Sequence, residues 1–148
     1  MLFRGSRDGW SYQIIHAKID NQGPTITIIK TRKGRIFGGF ASVSWDGSGT
    51  GKADSNAFLF SVDLAMKNPV NLSSQSKPIY CHPHTGPYFG SSKVFCVRSD
   101  ANTGTTSSFN VNDIFKDLPK AANGNCMYID GDADFQISEV EVFRVIPN

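Results

Sequence analysis

Apolar residues along the chain fall into short runs broken by Gly, Pro, Asn, Asp and Ser, the pattern of a protein built from strands. Residues 25–30 and 34–44 flank a basic turn and read as a hairpin. Further strands are expected at 56–62, 78–81, 92–98, 125–129 and 137–146. In the last of these, Ile137, Glu139 and Glu141 alternate with Val140 and Val142, which leaves one face apolar. Helical signal is sparse. Ser11 fits the N-cap of a helix with Ile15 and Ile19 at i and i+4, and residues 112–118 read as a second short helix stopped by Pro119. The expectation is a mainly β (α+β) fold. It is a β-sandwich of two antiparallel sheets with short peripheral helices, one domain over residues 1–148 with no internal repeat and no linker.

Within the 34–44 strand two adjacent glycines, Gly38 and Gly39, stand between Phe37 and Phe40. Glycine inside a strand marks a bulge, a bend or the close approach of another layer. Such a strand could coil over the core while both rings pack. Trp45 follows at the glycine-rich exit, where it is either exposed to bind a ligand or folded back to cap the core; the second reading is preferred.

Composition narrows the class. Hydrophobic residues make up 39% of the 148 and charged residues 19%, a globular balance. A net charge of +2 with scattered lysines and arginines gives no footprint for nucleic acid. The single basic run, 30–35, suits a solvated turn better than a phosphate patch. No stretch reaches the roughly 18 to 20 apolar residues of a membrane span, and the first residues lack the apolar core of a signal peptide. Three cysteines fit reduced thiols in a cytoplasmic protein better than a disulfide framework, although Cys81 and Cys96 could face each other across a ladder. An extracellular protein is the alternative.

Several near-motifs test the chemistry. The stretch 46–53 imitates a phosphate-binding loop, but Asp46 replaces its first glycine and Ala53 its magnesium-ligating hydroxyl. Asp130, Asp132 and Asp134 sit at alternate positions of a calcium-type loop. Phe135 replaces the turn glycine and the flanks read as strands, so a solvated acidic turn is preferred to calcium. Cys81, His82 and His84 offer zinc-type ligands, but Pro83 limits their convergence and a polar loop is preferred. No nucleophile elbow or triad spacing is present, which predicts a protein without catalysis and without a required cofactor. Loop positions instead carry aromatic and amide groups: Trp45, Asp46, Asn56, His82, His84, Tyr88, Asn102 and Asn110. Such groups suit a stacking and hydrogen-bonding surface for a sugar or a protein.

Five segments in order, "LFRGSRDGWS", "GPTITIIKTRKGRIFGGFASVSW", "NAFLFSV", "GPYFG" and "ISEVEVFRV", closely resemble a TLDc domain, the module of the oxidation-resistance family. The match spans roughly Leu2 to Val145. The resemblance implies a sandwich of two antiparallel sheets. It places Ser6 at the family's serine and Glu141 at its last-strand glutamate, the pair to which any catalysis would fall; satisfying buried backbone groups at strand ends is the preferred role. It also implies oxidative-stress protection and binding to subunits of the vacuolar proton ATPase. The chain starts at the first strand segment, without the helical stretch that usually precedes it. Two of its segments look closer to protist and marine-invertebrate TLDc modules, which makes glycan binding through Trp45, Asp46, His82, His84 and Tyr88, with calcium at Asp130, Asp132 and Asp134, the alternative function.

Overall fold

The 25–44 region folds as the hairpin its pattern predicts. In the computed structural model, which describes residues 1–103 and 107–146, β2 (Thr25–Thr31) and β3 (Ile36–Ala41) pair antiparallel with Ile28 opposite Gly38. Around this hairpin a six-stranded sheet forms in the order β1-β12-β2-β3-β5-β6, where β1 is Phe3–Arg4, β5 is Phe58–Ser61, β6 is Met66–Pro69 and β12 is Ile137–Arg144. A four-stranded sheet takes the order β4-β7-β8-β9, from Gly51–Lys52, Ile79–Tyr80, Thr85–Phe89 and Phe95–Arg98. A small ribbon joins β10 (Ser107–Ser108) to β11 (Asp134–Phe135). Two helices sit outside, α1 (Gly5–Asp8) and α2 (Tyr12–Ile19), the latter capped by Ser11 Oγ accepting from the Ile14 amide.

The two larger sheets pack face to face through aromatic rings. Phe37 of β3 meets Phe95, Phe109 and Phe135 edge-on at 5.2, 5.6 and 5.4 Å between centroids. The glycine pair explains the close approach: a Cβ on Gly39 would lie 2.5 Å from the Phe89 ring of β8, so that ring needs the space. Phe89 then meets Trp45 edge-on at 5.4 Å. Only 2% of Trp45 is exposed, and its indole Nε1 donates to Thr25 Oγ1 at 2.9 Å. The tryptophan caps the core.

The last strand is set by a bulge. Its pairing with β2 shifts between Ile137 and Glu139, so the extra residue resets the side-chain phase. Ile137 thereby joins Val140 and Val142 in the core, while Glu139 and Glu141 face outward.

Four expectations are corrected. Residues 112–118 form no helix: Asn112 Oδ1 accepts from the Ile114 amide, Phe115 makes an antiparallel bridge to Val70, and Asp117 turns left-handed at φ 57°. Residues 125–129 are not a strand. Cys126 bridges Lys120, its sulfur accepts from the Tyr128 amide, and Met127–Ile129 winds into a 3₁₀ turn ended by left-handed Asp130. The strand β8 was hidden by Gly86 and Pro87, which sit where its pairing with β9 is irregular between Thr85 and Tyr88. Finally, Cys81 and Cys96 do not face each other, because β8 runs between β7 and β9 and all three cysteines are free and buried.

Burial raises the thiols of Cys81 and Cys96 above their ordinary value and pushes Cys126 up to about 11. A thiol reagent at pH 8 is therefore expected to find no fast-reacting cysteine in the folded protein and three after denaturation. A rapid equivalent in the native state would contradict this packing.

Candidate functional site

Ser6 lies in α1, the four-residue helix that turns β1 back over the end of β12. Its partner is not Glu141. Ser6 Oγ donates to Glu139 Oε2 at 2.5 Å and the Ser6 amide donates to Oε1 at 3.1 Å. The register makes this possible: β1 runs antiparallel to β12 with Arg4 opposite Glu141, so Ser6, two residues on, comes level with Glu139. Arg4 Nε stands 3.4 Å from Glu139 and 3.5 Å from Glu141, and its amide donates to Asp8 Oδ2 at 2.9 Å. Burial raises the Glu139 carboxyl, but donation from Ser6, the Val140 amide and Arg4 outweighs it, so the group stays below its ordinary 4.5. A carboxylate held in this way is a good acceptor and a poor proton abstractor. What the arrangement does is clamp α1 to the last strand.

The sign of its pH dependence follows. Because the folded value is depressed, the contribution of Glu139 is present above about pH 4.5 and is lost as pH falls through the folded value. Glu139→Gln is expected to flatten the fall in Tm between pH 6 and pH 3 relative to the parent; an unchanged slope would remove the clamp.

The acidic turn carries its own counterions. Lys33 Nζ reaches Asp132 Oδ2 at 2.6 Å, and Arg35 holds Asp130 through Nη2 at 2.8 Å and Nε at 3.0 Å. Asp134 lies in β11. These residues and Arg32 line a cleft of about 380 Å³. Among the described residues no three His, Cys, Asp or Glu side chains converge as metal ligands, so Asp130, Asp132 and Asp134 are not gathered around one point.

The other candidates divide. Trp45 is in the core, and Asp46 is held by Lys52 Nζ at 2.6 Å and by the Ser48 amide at 2.9 Å, which keeps its carboxyl well below the usual range. His82, His84 and Tyr88 do come together. His82 and Tyr88 lie parallel at 6.0 Å, Tyr80 meets Tyr88 at 5.1 Å, and Tyr12 of α2 meets His84 at 5.0 Å. Burial, and then repulsion from His84 and His16, lowers the His82 value. His16 bonds Asp20 through Nδ1 at 2.8 Å. The result is a partly exposed aromatic surface at the ends of β7 and β8.

The outward face of the six-stranded sheet was not foreseen. In β2 threonines share the inward face with Ile29: Thr25, Thr27 and Thr31 are buried, while Ile26 and Ile28 point away from the core with Lys30. The pairing carries apolar side chains across four strands, with Phe143 opposite Ile26, Ile26 opposite Phe40, and Phe40 opposite Phe58. Phe40 and Phe58 stack at 5.1 Å, and Phe60 and Ile36 continue the face. Val62, 59% exposed, closes it, its amide donating to the Ile36 carbonyl. The signal was in the sequence, as threonine and isoleucine alternating in "TITII", but alternation alone does not say which face is inside.

This sandwich and its five motif segments define a known module. The TLDc domain family model matches residues 1–146, and the chain belongs to that family. Similar proteins are the MTOR-associated protein MEAK7 of Danio rerio, 42% identical over 62 residues covering 42% of this chain and 14% of that protein, and of Xenopus laevis, 28% identical over 98% of this chain and 31% of that protein. The Homo sapiens protein of the same name is 23% identical over 98% of this chain and 32% of its own length. The chain thus spans about a third, or less, of the relatives it matches. No helix among the described residues is long and apolar enough to cross a membrane.

Proposed function

We propose that this chain is a non-catalytic interaction module that docks a protein partner in the cytoplasm and needs no cofactor. The observation that carries the reading is the outward face of the six-stranded sheet, where isoleucines and phenylalanines face out while threonines are buried. Large contiguous apolar surface on a folded domain is a mark of association. The bond from Ser6 to Glu139 and the ion pair of Arg4 with Glu141 support a structural part for the family serine and glutamate. The partners to test first are subunits of the vacuolar proton ATPase, with oxidative-stress protection as the cellular outcome, and MTOR-containing assemblies, after the name of the relatives. Purified domain is immobilised and titrated with each purified assembly. Saturable binding to one of them is expected, and no binding to any would overturn the reading.

The aromatic surface favours a second reading, glycan binding through His82, His84 and Tyr88 with Tyr80 and Tyr12. A glycan array run in calcium and again in EDTA tests it, and a blank under both conditions ends it.

A further inference from the structure

We propose that the turn at residues 82–84 is a latch worked by a proton: it holds the aromatic surface to α2 while His82 Nδ1 accepts the His84 amide, and it opens when that nitrogen is protonated. The geometry is that of an Asx-turn made with an imidazole. His82 Nδ1 takes the amide two residues on at 3.0 Å. Pro83, between them, has no N–H to contribute. Upstream the chain is anchored, since the Cys81 amide donates to the Thr50 carbonyl and the Cys81 carbonyl accepts the Gly49 amide. Downstream, β8 begins at Thr85. Between these anchors the bond to Nδ1 ties the turn to itself. The closed turn also places both rings. His82 lies parallel to Tyr88 and tilted against Tyr80, each at 6.0 Å, and His84 stands 6.0 Å from His82 and edge-on to Tyr12 of α2 at 5.0 Å. A neutral imidazole with hydrogen on Nε2 fits this arrangement, because its Nδ1 lone pair is free to accept. An imidazolium does not. With both nitrogens carrying hydrogen, N–H faces N–H and the His84 amide loses its acceptor.

The surroundings offer the charged ring no compensation. It faces His84 within the turn, Tyr80 from β7, and Tyr88 from β8 with Cys96 of β9 paired to it. From α2 come Tyr12, beyond His84, and His16, whose Nδ1 is already bonded to Asp20. Arg98 of β9, opposite Thr85, is a further cation. Lys52 and Asp46, beyond Cys81, are paired with each other. Among the described residues no carboxylate lies within ion-pair distance of His82. Burial first, then the like charges of His84 and His16, hold His82 below its ordinary 6.5. Because the folded value is depressed, the closed turn keeps its stability above about pH 6.5 and loses it as pH falls through 6.5 toward the folded value. The latch belongs to the turn alone, so it stands or falls apart from what the surface binds.

The isotope-labelled chain, titrated from pH 8 to pH 5 without ligand, tests this by NMR of the histidine ring nitrogens and the backbone amides. A neutral His82 with hydrogen on Nε2 is expected, with a midpoint for that ring below 6.5. At the same midpoint the His84 amide proton should step upfield and the Tyr12–His84 ring contact should vanish from nuclear Overhauser spectra. Protection of that amide from exchange should fall about fivefold or more across the step. His82→Asn keeps an acceptor at the same offset and does not titrate, so its turn should stay closed at every pH. His82→Phe keeps a ring against Tyr88 without an acceptor, so its turn should be open even at pH 8. Melting curves at pH 8 separate loss of the turn from loss of the fold, and should a variant fail to fold, the parent's own titration decides. A His84 amide and a Tyr12–His84 contact that ignore the His82 midpoint overturn the latch. So does a neutral His82 with hydrogen on Nδ1, or an undiminished step in His82→Asn.

Discussion

Gly38→Ala is expected to cost about 3 kcal/mol or more and to leave little folded protein at 37 °C. The residue lies mid-strand in β3 and faces outward, opposite Ile28 on one side and Phe60 on the other. A methyl group built there would stand 1.8 Å from the Thr27 carbonyl oxygen and 2.8 Å from Phe60 Cζ. The ring can swing away. The carbonyl cannot, because β2 is held between β12 and β3 and would have to move as a strand. The reason for glycine is space and not conformation, since Gly38 is not among the glycines with positive φ. Gly39→Ala meets the Phe89 ring at 2.5 Å, a buried side chain that can shift by a little, so a smaller loss of about 2 kcal/mol is expected. Gly47→Ala, with nothing within 4 Å, should be nearly silent. Chemical denaturation of the three variants ranks them, and Gly38→Ala within about 1 kcal/mol of the parent would refute the close approach.

The same strand shows what was legible in the sequence. Turn chemistry and alternation placed the 25–44 hairpin, the Ser11 cap and the 137–144 strand, because each depends on residues close in sequence. Where distant partners decide, local reading failed. Residues 112–118 have a helical composition, yet Asn112 and Asp117 spend it on turns that bring Phe115 to Val70. Met127–Ile129 look like a strand, yet burying Tyr128 against Asn68 requires a 3₁₀ turn. The site divides in the same way. His82, His84 and Tyr88 are near in sequence and do gather, whereas Trp45 and Asp46 have partners in Thr25 and Lys52 that take them elsewhere. The serine of α1 meets Glu139 and not Glu141 because β1 runs antiparallel to β12 with Arg4 opposite Glu141, which brings the chain two residues on to the level of Glu139. That register joins the two ends of the chain, and no local periodicity announces it.

Asp54→Ala carries the second large expected effect, again about 3 kcal/mol. The residue is 5% exposed and lies in the loop between β4 and β5. Its carboxylate collects donors from two segments: Oδ2 accepts the amides of Ser42 at 2.7 Å and Val43 at 3.4 Å, and Oδ1 accepts Ser42 Oγ at 2.5 Å and the Asn56 amide at 3.1 Å. Ser42 and Val43 follow β3 directly, and Asn56 leads into β5. The carboxylate therefore ties the exit of one strand to the entry of its neighbour, where Phe40 and Phe58 stack. Alanine would leave these donors without their acceptor in a largely closed site, which is costlier than never having made the bonds. The conservative variant Asp54→Asn keeps one accepting oxygen and should lose about half as much. If the tie also sets the outward face, both variants should broaden the amide resonances of Phe40 and Phe58 well below their Tm, while that of Phe143, two strands from β3 on β12, stays sharp. Asp54→Ala costing less than about 1 kcal/mol would mean that water replaces the carboxylate and that sheet pairing alone holds β3 beside β5.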